Sequence, residues 1–95
     1  MKPFKLRIQC ETIHVLPGDI GDDDALWDGR EYKIIVSNKL RGDAIFDAIM
    51  HEVHHAIEDL LRIKIKDDDV QRFGTGSIQF LRDNPQFVKR LISKH

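Results

Sequence analysis

A chain of 95 residues with a formal net charge of −1 has room for one domain and one modest core. Apolar residues at 41% and charged residues at 33% describe a soluble globule and exclude a disordered chain. The near-neutral charge and the lack of a basic run argue against a nucleic-acid partner, and a DNA-binding helical domain is disfavoured on the same ground. The single cysteine, Cys10, excludes an internal disulfide and a cysteine-based zinc site. No apolar stretch approaches the ~18 residues of a membrane span, and "MKPFKLRIQC" lacks the apolar block of a signal peptide. The expected setting is cytoplasmic, with no membrane partner.

Residues 1–40 read as β. "FKLRIQC" and "ETIHVL" alternate polar and apolar side chains, as half-buried strands do, until Pro17-Gly18-Asp19 stops the pattern. "DIGDDD" has loop composition, and its aspartates lack the alternation and distal glutamate of a calcium loop. "ALW", "DGRE" and "YKIIVS" follow as a hairpin closed by Asp28-Gly29, with Tyr32, Ile34 and Val36 on one face and Ile35 on the other.

Residues 41–95 read as helices. Asp43 is the expected N-cap of a first helix whose apolar stripe is Ile45, Ile49, Val53, Ile57 and Leu60, running to about Arg62. "IKIK" connects it to a second helix starting near Asp67, with Val70, Phe73, Gly74, Ile78 and Leu81 as its stripe. Asn84 caps a third helix with Pro85 in its first position, and Phe87, Val88, Leu91 and Ile92 form its buried face. The expected fold is α+β: one domain, a small antiparallel sheet followed by helices segregated in sequence.

Chemistry concentrates in "MHEVHHAIED", which holds three of the five histidines. On a helix His51 and His55 lie one turn and about 40° apart, so their imidazoles converge on one point beside the axis. That spacing suits a zinc ion, which takes imidazole nitrogens at about 2.0–2.1 Å. Glu52 stands about 100° from His51, placed to act as a base rather than a ligand. The string His-Glu-x-x-His therefore specifies two ligands and a base. A solvated helix face rich in histidine is the bland alternative, but burying two imidazoles beside an apolar stripe costs free energy without a partner. His54, about 60° from His51 on the other side, reads as a surface or supporting residue; a His51/His54 pair would leave Glu52 without a role.

With "EYKIIVSNKL" as the strand into the helix, "IMHEVHHAIEDLL" as the active helix and "KDDDVQRFGTGSIQFLRDNPQFVKRLI" after it, the chain resembles the minimal zinc metallopeptidases of the gluzincin type. More narrowly, it is similar to small phage and prophage proteins related to the ImmA/IrrE family. The resemblance covers most of residues 25–93 and implies zinc, a water activated by Glu52, and peptide-bond hydrolysis. Two departures stand out: an Asp occupies the acidic position of the second helix where the family usually has Glu, and "GTG" replaces a stretch of small residues with Asn.

A catalytic zinc needs a third protein ligand and an open position. Measured from Val70 around the second helix, Asp67 lies about 60° away, Asp69 about 100° and Asp68 about 160°. Asp67 shares its face with Gly74, which would let the helices approach closely, and the resemblance points to the same position. Asp69 and Glu58 remain alternatives, Glu58 also as a partner that orients a histidine. The bland reading is that all three aspartates merely favour the helix dipole. The expected substrate is a peptide or protein added as a strand at the hairpin edge near Trp27 and Tyr32, with Tyr32 either an oxyanion donor or a plain core or rim residue. A dimer or protein partner would complete so small a cleft. The alternative function is a non-catalytic zinc- or protein-binding regulatory module of a phage or mobile element.

Overall fold

The computed structural model describes residues 1–93. Four strands, β1 (Phe4–Ile8), β2 (Glu11–Gly18), β3 (Ala25–Asp28) and β4 (Lys33–Ser37), precede three helices, α1 (Asp43–Leu61), α2 (Asp67–Asp83) and α3 (Pro85–Ile92). The α+β expectation holds.

The wholly antiparallel sheet does not. Strand order is β1-β2-β4-β3; β1–β2 and β3–β4 are antiparallel, but β2 and β4 run parallel, with Val15 opposite Ile34 and Pro17 opposite Val36. Residues 19–24 carry the chain past the place where β4 will lie, so β3 becomes the outer edge and β4 returns between β3 and β2. The cause is apolarity. "KIIVS" buries Ile34 and Val36 completely and takes the inner position, while the short "ALWD" is only half-buried and suits an edge. β2 also continues through Pro17 and Gly18 rather than stopping. The Gly18 carbonyl accepts from Asn38 N–H and His14 N–H donates to the Tyr32 carbonyl, so even-numbered residues of β2 face β4. Pro17 faces the side where β1 has already ended, and its missing N–H costs no ladder bond.

The core sits between the sheet and α1, built from Ile8, Ile13, Val15, Ile34 and Val36 below and Ile49 and Ala56 above. At about 25 cal/mol per Å² of apolar surface, each fully buried Ile or Val contributes about 1.5–3 kcal/mol. Tyr32 lies outside β4, at φ 53° in the turn, half-buried against this core and stacked on Trp27 at 6.2 Å, a rim position.

α1 begins one residue earlier than the cap assignment predicts. Gly42, at φ 60°, is the N-cap, and Asp43 is the first helical residue, accepting from Arg82 Nη2 at 3.1 Å. The helix ends in a left-handed Arg62, with Arg62 N–H donating to the Asp59 carbonyl and Ile63 N–H to that of Glu58. This Schellman-type turn reverses the chain so that α2 lies back across α1. α2 packs on α1 and touches α3 but meets no strand among the described residues. It buries only Val70 and Gly74, so Phe73 is exposed instead of packed. α3 buries nothing, against the expected buried face; Asn84 is its N-cap residue and Pro85 its first residue, as expected, but the Asn84 side chain donates back to the Phe80 carbonyl and makes no cap hydrogen bond.

Candidate metal centre

α1 brings His51 and His55 together as the helical period requires: their Nε2 atoms are 3.1 Å apart. The reversal after Arg62 then lays the first turn of α2 over them. Asp67 Oδ1 comes to 2.9 Å from His55 Nε2 and 3.4 Å from His51 Nε2. Asp68 and Asp69 do not join the cluster: Asp68 is exposed, and Asp69 lies 3.8 Å from Arg72.

These three donor atoms form a triangle with edges of 2.9–3.4 Å. Atoms held tetrahedrally at about 2.0–2.1 Å from one centre are about 3.3 Å apart, so the set fits one zinc ion with a fourth position open. The chemistry of the donors agrees. Two imidazole lone pairs and a carboxylate oxygen facing one another repel unless a positive species lies between them, and a single proton cannot serve all three edges.

Glu58 is tied elsewhere. Its Oε1 lies 3.0 Å from His55 Nδ1, and its Oε2 accepts from the backbone N–H of Ile65 in the connector. The Ile65 N–H, and then the His55 ring, hold the Glu58 carboxyl below its ordinary value, so it is an acceptor that keeps a proton on Nδ1. Nε2 is thereby left to present its lone pair to the cluster. Burial by itself would lower His55, but Glu58, Asp67 and the Glu52 charge together raise it. In His51 the same ring atom, Nδ1, is buried with no partner.

Glu52 is the one buried carboxylate among the described residues, 8% exposed in a helix face that otherwise packs on the sheet. Its Oε2 stands 3.9 Å from His51 Nε2, and ligand atoms of His51, Glu52 and His55 lie within 4.8 Å of one another. That separation is too wide for a tetrahedral edge but close enough to exchange a proton at the open position. Burial pushes the Glu52 carboxyl up, while the two histidines and a hydrogen bond from the Trp27 backbone oppose the shift.

His54 is engaged away from the cluster, with Nδ1 2.8 Å from the Met50 carbonyl and its ring stacked over Phe73. The rival His51/His54 pair is therefore not built. Gly74 does mark the contact of α2 with α1, but a Cβ there would meet His51 N at 3.6 Å and Met50 at 3.7 Å, an ordinary fit. Glycine is thus not required for the approach.

Two open grooves flank Glu52. One, of about 390 Å³, is lined by Asp24, Ala25, Asp47, His51, Glu52 and Gln71 among others. The other, of about 420 Å³, includes Trp27, Glu52, His55, Glu58, Asp59 and Lys64. Both follow the free edge of β3. Trp27 Nε1–H donates to Asp59 Oδ2 at 3.0 Å, beneath Gly29, and fastens that edge to α1. Sequence reasoning missed this tie, although Glu52 and Asp59 are seven residues apart and so share a helix face. No family model matches the chain, and no curated protein or solved structure matches it.

Proposed function

We propose that the chain is a zinc-dependent metallopeptidase of the minimal gluzincin type, with His51, His55 and Asp67 as the metal ligands and Glu52 as the catalytic base. The observation that carries this reading is the donor triangle closed by α2, with a buried carboxylate beside its open side. Zinc bound there supplies a Lewis acid and lowers the pKa of a coordinated water. Glu52 takes the proton from the water whose oxygen attacks the peptide carbonyl carbon. As the C–N bond breaks, the same carboxyl gives that proton to the leaving amine nitrogen, so a carboxylate and an amine are released. A carboxyl raised by burial is suited to hold the proton between those steps.

The free edge of β3 supports the reading. Ser37 N–H donates to the Asp24 carbonyl, so residues 24, 26 and 28 turn their peptide groups to β4. Residues 25 and 27 turn theirs outward. The Ala25 peptide groups are left to pair with an extended substrate chain lying in the two grooves. The reading carries with it a cytoplasmic setting; no helix among the described residues is long and apolar enough to cross a membrane.

Glu52→Gln tests it. The variant keeps the shape of the site and should retain about one zinc per chain, while cleavage of a random peptide library falls on the order of 100-fold or more. Cleavage at the parental rate would remove Glu52 from the chemistry. A parent that takes up zinc but cleaves nothing would favour the non-catalytic regulatory module.

A further inference from the structure

α3 is an eight-residue helix with no buried residue, and helices shorter than about 12–15 residues are marginal in water unless something packs on them. In its own chain its one aromatic contact is Phe87 on Phe80, with ring centroids 5.5 Å apart. The surface it shares with α2 is unusually apolar. Phe46, Phe73, Phe80, Phe87, Leu91 and Ile92 are 49–72% exposed, and Leu81 lies between the groove that holds Phe73 and Phe80 and the one that holds Phe46. At about 200 Å² per large side chain, these six present on the order of 700 Å² of apolar surface, and soluble monomers rarely expose more than a few hundred. One partner's share of a standard interface is about 800 Å².

The same face holds a ridge and a groove. The ridge is the end of α3, Leu91 and Ile92. The groove, of about 610 Å³, runs along α2 past Asp69 and its partner Arg72, then Phe73, Gly76, Ser77 and Phe80. Gly76 forms an open gap between the two phenylalanines: a Cβ there would meet nothing within 4 Å. Nothing within the chain uses that glycine, which costs about 0.5–1 kcal/mol relative to alanine inside a helix. Charge is complementary in the same sense, since α2 opens with Asp67, Asp68 and Asp69 while α3 closes with Lys89 and Arg90.

We propose that the chain forms a two-fold homodimer through this face, with the Leu91–Ile92 ridge of each copy seated in the α2 groove of the other, over Gly76. Reciprocal insertion closes the assembly, covers the apolar surface of both copies at once, and sets the basic end of α3 toward the acidic first turn of α2 in the other copy. Phe73, in the groove, also stacks on His54, so the interface adjoins the histidine helix. The dimer stands whether or not the metal cluster hydrolyses peptides.

Sedimentation equilibrium of the intact chain at tens of micromolar should give twice the 11.1 kDa of one chain. Gly76→Arg enters open space in the monomer, and Leu91→Asp with Ile92→Asp alters side chains that are exposed there. Both variants should keep the parental circular dichroism and weaken association by at least about 30-fold, the scale of interface hot spots. A parent of 11.1 kDa at every concentration overturns the proposal and leaves the face to a different protein or a lipid surface. A dimer that both variants leave intact overturns it too, and assigns association to a sheet edge.

Discussion

Replacing Asp67 with asparagine removes the carboxylate proposed as the third zinc ligand, 2.9 and 3.4 Å from the two imidazole nitrogens, while leaving its size unchanged. Its side chain is 77% exposed, so without metal the change removes little beyond a helix-dipole contribution of about 0.3–1 kcal/mol. With zinc the difference is large. A ligand at one hundred times its Kd stabilises the folded state by about 2.7 kcal/mol, which for a chain of this length raises Tm by about 11–22 °C. Loss of an anionic ligand that weakens affinity about 100-fold brings the same zinc concentration down to Kd. The stabilisation then falls to about 0.4 kcal/mol, or about 2–3 °C. Thermal denaturation with and without zinc, at one fixed free concentration, reads both numbers. Asp68→Asn, on the solvent side, is the control and should shift like the parent. If Asp67→Asn gains as much from zinc as the parent does, Asp67 is not a ligand; if Glu58→Gln alone loses the gain, the site is built on one helix.

In the metal-free protein, His55 is raised above its usual 6.5, so its contribution to stability is complete below that pH and disappears as pH rises through the higher folded value. Glu58 is held below its usual 4.5, so its contribution is present above that pH and is lost as pH falls through the lower folded value. Tm measured in chelator should therefore decline on both sides of the interval between them, and His55→Gln should flatten the alkaline decline; an unchanged profile would refute the His55 assignment. Gly74→Ala should be neutral or stabilise by up to about 1 kcal/mol, because its Cβ fits at 3.6–3.7 Å. A fall in Tm with loss of zinc would show that the helices need glycine there.

The elements and the convergence of His51 with His55 were legible in the sequence because both rest on local periodicity. Apolar residues at helical spacing mark α1, and His51 and His55 converge wherever residues 51–55 are helical, whatever packs on them. The start of α2 at Asp67 follows from composition, since three aspartates gather at the positive end of the helix dipole. Strand alternation, by contrast, identifies a buried face but not a neighbour. The parallel pairing of β2 with β4 is decided by which strand gains most from the middle of the sheet, and "KIIVS" wins that place from "ALWD". That Asp67, and not Asp69 or Glu58, stands against the two Nε2 atoms depends on the left-handed turn at Arg62, the burial of Val70 and the hold of Glu58 on Ile65 N–H, none of them a property of one helix. Phe73 and the α3 stripe read as core for the same reason. An amphipathic period shows that a helix has an apolar side, whereas only the tertiary arrangement decides whether this chain covers it, and here α2 and α3 extend beyond the reach of the sheet.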